Sequence, residues 1–157
     1  MLIGFRVYHD FPAENFNIDH TVIGTNGVFA VETNGRAKPI KGDINVILDG
    51  QGLQFPTLYE KDPLDQAKRQ AVWLAKWLTS AVGAEVSVRP VLVLPGWFIE
   101  RKKPGMLIYN GKNPQVVYRI KGDSILSAEM IQRITHQIEQ KCRDVTPVAY
   151  KKEKKSN

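Results

Sequence analysis

Apolar and polar residues alternate in short runs through the N-terminal third of the chain, and the period then changes to that of a helix. Gly4–Tyr8 reads as a first strand. Asn17–Ile23 and Val28–Asn34 read as the arms of one β-hairpin around Gly24-Thr25-Asn26-Gly27, a strong turn signal. Ile44–Leu48 and Leu53–Thr57, joined by Asp49-Gly50-Gln51-Gly52, read as a second hairpin. Leu64–Val82 has helical spacing, with Asp62-Pro63 supplying cap and first-turn proline chemistry and Gly83 stopping it. Val86–Leu94 is a nearly continuous β-branched run ending at Pro95-Gly96, which suits a strand buried on both faces. Pro90 inside that run calls for a bulge or an edge at that point. Met106–Tyr109 and Val116–Ile120 read as short strands around the turn Asn110–Pro114. Ser127–Cys142 is a closing helix, with Ser127 as its cap and Met130, Ile131, Ile134 and Ile138 as its apolar face. Strands followed by helix, strand and helix predict an α/β or α+β sheet domain.

The first hairpin places chemistry as well as structure. If its four turn residues form the loop, Ile23 faces Val28 and Asp19 falls directly opposite Glu32. If Asn26-Gly27 alone forms the turn, Asp19 pairs with Asn34 and lies diagonal to Glu32. Both registers leave Asp19, Glu32 and Asn34 on one face, because strand side chains alternate with period two. Directly opposed carboxylates have Cβ atoms about 5 Å apart and repel unless something compensates. A divalent cation such as Mg²⁺, which takes one or two carboxylates plus water and phosphate oxygens, is one compensator. A solvated sheet face on which two acids tolerate each other is the other reading.

The long helix carries a second signal. Ala67, Ala71, Leu74, Ala75, Leu78 and Val82 form its apolar face, while Gln66, Gln70, Trp73 and Trp77 form a separate stripe about 60° wide. Two amides and two indoles in one stripe suit a surface at the rim of a partly polar cleft. Core packing accounts for the tryptophans; Gln66 is assigned to the cleft.

Composition narrows the partners. The 157 residues fit one domain with a sizeable core and a basic tail: residues 1–145 and 146–157. No apolar run approaches the ~20 residues needed to span a bilayer, and the first residues lack a signal-peptide layout. The single cysteine, Cys142, excludes an internal disulfide and a multi-cysteine zinc site, so a cytoplasmic location is expected. The net charge of +6 is unevenly distributed, since residues 141–157 carry +4 of it and leave +2 for the rest. Global basicity is therefore weak support for a DNA groove, and local clusters such as Lys68-Arg69 and Arg101-Lys102-Lys103 must supply the cations.

Four segments carry a more specific signal: Asn17-Ile18-Asp19-His20-Thr21-Val22-Ile23-Gly24, Asn26-Gly27-Val28-Phe29-Ala30-Val31-Glu32-Thr33, Gln66-Ala67-Lys68-Arg69-Gln70-Ala71 and Pro90-Val91-Leu92-Val93-Leu94-Pro95-Gly96-Trp97-Phe98. Taken in order, they resemble the nuclease-related domain, or NERD, family of the PD-(D/E)xK class, over about Gly4 to Asp144. The resemblance implies a restriction-endonuclease-like fold, a mixed central sheet flanked by helices, and metal-dependent DNA cleavage or processing with Mg²⁺ or Mn²⁺. It makes Asp19 and Glu32 metal ligands, with the Thr33 carbonyl as an additional ligand and Gln66 reaching the same cleft.

Two departures from the family pattern stand out. The position two after Glu32 is usually lysine, and here it is Asn34, which can donate a hydrogen bond but carries no charge and cannot act as a base. Lys38 is the better substitute for that lysine, because Arg36 stays protonated. The family's N-terminal helix, with its acidic residue, is missing ahead of Gly4, which leaves one sheet face without cover and favours a homodimer. His20 points away from Asp19 and reads as a packed histidine; His136 reads as solvated, and His9 has no partner nearby in sequence. Trp97 and Phe98 could stack on unpaired bases, against the commoner fate of core packing. The expectation is a DNA phosphodiesterase impaired by Asn34, with a noncatalytic nucleic-acid-binding or protein-interaction domain as the alternative.

Overall fold

The computed structural model describes residues 5–35, 44–111, 120 and 125–144. Arg36, Lys38, Lys41, the expected strand Val116–Ile120 apart from its last residue, and the basic tail lie outside the described residues. The elements run β1 (Arg6–Pro12), β2 (Asn17–Gly24), β3 (Gly27–Thr33), β4 (Asn45–Leu48), β5 (Leu53–Gln54), β6 (Tyr59–Glu60), α1 (Asp62–Val82), β7 (Val88–Val93), β8 (Phe98–Arg101), β9 (Leu107–Tyr109) and α2 (Ala128–Asp144). One sheet has the order β1-β2-β3-β7-β9, antiparallel across β1 to β3 and parallel across β3, β7 and β9. The other has the order β6-β5-β4-β8, with only β4 and β8 parallel. Two mixed sheets and two helices make an α+β domain consistent with a restriction-endonuclease-like fold. Among the described residues no helix is long and apolar enough to cross a membrane.

Both helices pack on one face of the larger sheet. Ala71, Leu74, Leu78 and Val82 of α1 and Ile131, Ile134 and Ile138 of α2 share a core with Ile23, Val28 and Ala30. Trp73 and Trp77 pack against this core, stacked at 6.4 Å, with Phe11 set edge-on to Trp77 at 5.3 Å. Val22, Phe29, Val31, Val91 and Val93 are buried on the opposite face. A third core joins the two sheets: Val46, Leu48, Leu53 and Phe55 meet Leu64, Leu92, Leu94 and Trp97.

Local chemistry accounts for the ends of the helices. Pro63 lies in the first turn of α1, and Asp62 and Asp65 complement the positive end of its dipole. The N-cap position is Lys61, without a side-chain cap bond, so Asp62 acts as a first-turn acid and not as the cap. Gly83 ends the helix at φ 82°, where its N–H donates to the Thr79 carbonyl at 3.0 Å. The last turn of α1 contains no basic residue, and Arg133 of α2 supplies one by donating to the Val82 carbonyl at 2.6 Å. Ser127 caps α2 as expected, its hydroxyl oxygen accepting from the Met130 N–H at 3.0 Å.

Pro90 sits at an edge, one of the two solutions its chemistry allows. The Leu94 N–H donates to Tyr109 of β9, so Leu92 and Pro90, at the same phase, also point toward β9. Pairing with β9 starts only at Val91, and the missing proline donor therefore breaks no described ladder bond. β1 runs four residues past the expected end. Tyr8 and Phe11 pack on the same core although they are three residues apart, and Asp10 between them absorbs the change of phase with φ 53°. Aspartate is among the residues that tolerate this left-handed conformation best.

Candidate functional site

The hairpin of β2 and β3 adopts the first of its two possible registers. Gly24 pairs with Gly27, Ile23 with Val28 and His20 with Val31, where the ladder ends; Asp19 is the next residue of β2 and Glu32 the next of β3. Val28 and Ala30 face the helices, so alternation sends Glu32 to that side as well, where it is only 3% exposed.

Backbone direction organises the acids. The Asn34 N–H donates to the Val93 carbonyl at 2.8 Å, which turns residue 34 toward β7. Thr33, one step earlier, therefore turns toward β2, and its N–H donates to Asp19 Oδ2 at 2.9 Å. An extended residue points its carbonyl to the same side as its N–H, so the Thr33 carbonyl also lies on the Asp19 side of β3. Asp19 is half-buried and fixed by the neighbouring strand. The donors this corner offers are two carboxylates and one peptide carbonyl. All are hard oxygen ligands, suited to Mg²⁺ or Mn²⁺, and a cation that keeps several waters needs no more protein ligands than these. No group of three or more His, Cys, Asp or Glu side chains converges on a metal position among the described residues.

The other expected members divide. Asn34 is half-buried at the end of β3. Gln66 is exposed near the start of α1, whereas Gln70, one turn on, is 3% exposed. The Gln70 Oε1 atom is buried and has no hydrogen-bond partner. Lys38, the expected substitute cation, lies outside the described residues. Trp97 is core, in edge contact with Phe55 at 5.0 Å, while its neighbour Phe98 is 58% exposed. A cavity of about 400 Å³ lined by Val82, Glu129, Arg133 and His136 lies between the two helices, away from the carboxylates.

Strand pairing adds two groups that the linear sequence did not connect. His9 lies opposite His20 on β1, with ring centroids 4.8 Å apart in an edge geometry. Burial holds the His20 imidazole below its usual pKa, and the neighbouring His9 pushes it the same way; Asp19 and Asp10 pull it back up. Gln70 is the second missed group. Its signal was its place in the Gln66-Trp73-Trp77 stripe, one residue from the buried Ala71, but a helical wheel alone does not tell which of two glutamines a turn apart is covered.

The family model described as the nuclease-related domain matches residues 2–95. The chain belongs to the NERD family. Within the restriction-endonuclease-like superfamily to which NERD belongs, the matched span contains the acidic hairpin, α1 and β7, and stops before β8. No curated protein and no solved structure gives a significant match. Membership makes this a nuclease-related domain.

Proposed function

We propose that this NERD domain is a divalent-cation-dependent DNA phosphodiesterase whose cleavage rate is limited by Asn34. The observation that carries the reading is the coupling of Asp19 to Thr33. The carboxylate is held at 2.9 Å by the N–H of the β3 residue that follows Glu32. Asp19 and Glu32 would hold Mg²⁺ or Mn²⁺, with the Thr33 carbonyl as the neutral ligand. A cation bound there supplies an activated water and neutralises charge on the scissile phosphate. Asp19 needs no reorganisation to meet a ligand, because its rotamer is already set by the peptide it bonds. Gln66, exposed near the start of α1, would donate its amide to a phosphate oxygen or to water. Asn34 can donate a hydrogen bond in the same region but adds no positive charge, and Lys38 is the residue proposed to supply it.

Asn34 also favours a second reading, a NERD domain that binds nucleic acid without cutting it. Nicking of supercoiled plasmid and degradation of single-stranded DNA, each with Mg²⁺ and with Mn²⁺, separate the two. The enzyme reading expects slow cleavage by the wild type and none by Glu32→Ala or Asp19→Ala. Equal cleavage by wild type and Glu32→Ala rules out this site, and DNA retention across a salt series without cleavage supports the binding module.

A further inference from the structure

Thr21, Glu32 and Gln70 are buried polar side chains beside an otherwise apolar core. All three face the same layer. Thr21 is in phase with Ile23, which packs on the helix-side core, and it pairs with Ala30; Glu32 is in phase with Ala30. Gln70 lies on the covered face of α1. Its level along the strands follows from the packing on either side of it. Ala71, Leu74 and Leu78 belong to the core of Val28 and Ala30, while Leu64 belongs to the core of Leu92, the residue paired with Glu32. α1 crosses between parallel β3 and β7 and so runs antiparallel to both, which puts Gln70 between those two levels, with its side chain toward the Glu32 end.

The Gln70 Oε1 and Thr21 Oγ1 atoms are buried and have no hydrogen-bond partner. An orphaned buried acceptor is costly, and a protein keeps one where something else satisfies it. An internal water needs two to four polar partners, and Gln70, Thr21 and the Glu32 carboxylate offer three. Ala67, Ala71 and Ala30 keep the space between helix and sheet short of side-chain volume.

We propose that Gln70 is a positioning residue for the carboxylate site: its Oε1 accepts a hydrogen bond from a water shared with Glu32, and that water belongs to the shell of the bound divalent cation. The inference rests on the reading of Asp19 and Glu32 as cation ligands. It gives the second glutamine of α1 a role distinct from that of exposed Gln66, since Gln70 acts through a water and Glu32, and touches no substrate. Partners one step out from a metal typically alter its affinity by about 10- to 100-fold.

Mn²⁺ titration by calorimetry and by electron paramagnetic resonance tests this, alongside thermal melting in chelator. Gln70→Met keeps the length and removes the acceptor; Gln70→Glu keeps an acceptor. The expected result is an at least 10-fold weaker Mn²⁺ affinity in Gln70→Met, with melting in chelator no lower than wild type because an unsatisfied buried amide has been removed. Gln70→Glu is expected to bind Mn²⁺ at least as tightly as wild type. Unchanged Mn²⁺ affinity in both variants, with affinity lost in Glu32→Ala, overturns the role of Gln70 and leaves the carboxylate site standing. Absence of Mn²⁺ uptake by the wild type overturns both. A lower melting temperature for Gln70→Met in chelator, with Mn²⁺ affinity intact, assigns the amide to packing alone and also overturns the proposal.

Discussion

Replacing Asn34 with lysine is the most informative single perturbation of this domain. The backbone at position 34 is tied to the central strand by its N–H bond to Val93 at 2.8 Å, so a new side chain changes chemistry at a fixed point. Position 34 continues the phase of Glu32 along β3. An ammonium about 5 Å from a carboxylate gains about 3 kcal/mol at an effective dielectric of about 20, and Glu32, two residues earlier on the same face, is the carboxylate nearest in phase. That attraction offsets the desolvation of a lysine at a half-buried position, so Asn34→Lys is expected to fold and to melt within a few degrees of wild type. A positioned acid–base or charge-stabilising group contributes about 10²–10⁴ in rate, equivalent to about 2.7–5.5 kcal/mol of barrier. Single-turnover nicking of supercoiled plasmid in Mg²⁺ should therefore accelerate by at least about 100-fold in Asn34→Lys. The gain should disappear in Asn34→Lys with Glu32→Ala, and Asn34→Met, long but uncharged, should show none. If folded Asn34→Lys cuts no faster than wild type, the missing ammonium is not what limits this site.

Two further predictions follow from the structure. Burial and His9 hold His20 below its usual value near 6.5, so the unfolded chain takes up the proton first as pH falls. Stability from this group is complete above about pH 6.5 and declines as the pH drops toward the lowered folded value; His20→Gln should flatten the melting temperature below that pH, and an unchanged acid slope would refute the assignment. Arg133→Ala removes the donor to the Val82 carbonyl at 2.6 Å. The partly exposed bond makes a loss of about 1 kcal/mol reasonable, a fall of about 2–4 °C in melting temperature, which Arg133→Lys should partly restore.

The acidic hairpin was legible because its turn fixes everything before and after it. Once Ile23 faces Val28, a period of two carries Asp19 and Glu32 to the same end of the sheet with no further information. α1 was equally plain, since Pro63 and Gly83 mark its ends and its alanine and leucine face is continuous. β8 was not anticipated: among the described residues Phe98-Ile99-Glu100-Arg101 pairs only with β4, and its exposed phenyl ring gives no alternation against a core. β1 ended too early in the sequence reading because His9-Asp10 looks like a terminus, whereas the left-handed Asp10 lets the strand continue with its phase reversed. The His9–His20 contact depended on that continuation. No local pattern could pair two histidines whose strands meet only through the β1–β2 ladder.

The glutamines show where sequence reading loses resolution in the site itself. Gln66 and Gln70 are a helical turn apart, carry the same amide and lie in one stripe, yet one is exposed and the other sealed. The difference comes from what lies beneath each. Gln66 lies on the solvent side of a helix start whose Pro63, Leu64 and Ala67 are buried, while Gln70 is overlaid on the sheet between the level of Ala30 and that of Leu92. A buried amide oxygen without a donor is tolerable in an apolar core only if another function or a water meets it. If Asp19 and Glu32 hold a cation as proposed, the orphaned Gln70 oxygen gives the helix above them a part in the same arrangement. On that proposal Asn34 is a change at one corner of the site, and for that reason an ammonium introduced there is expected to raise the rate so much.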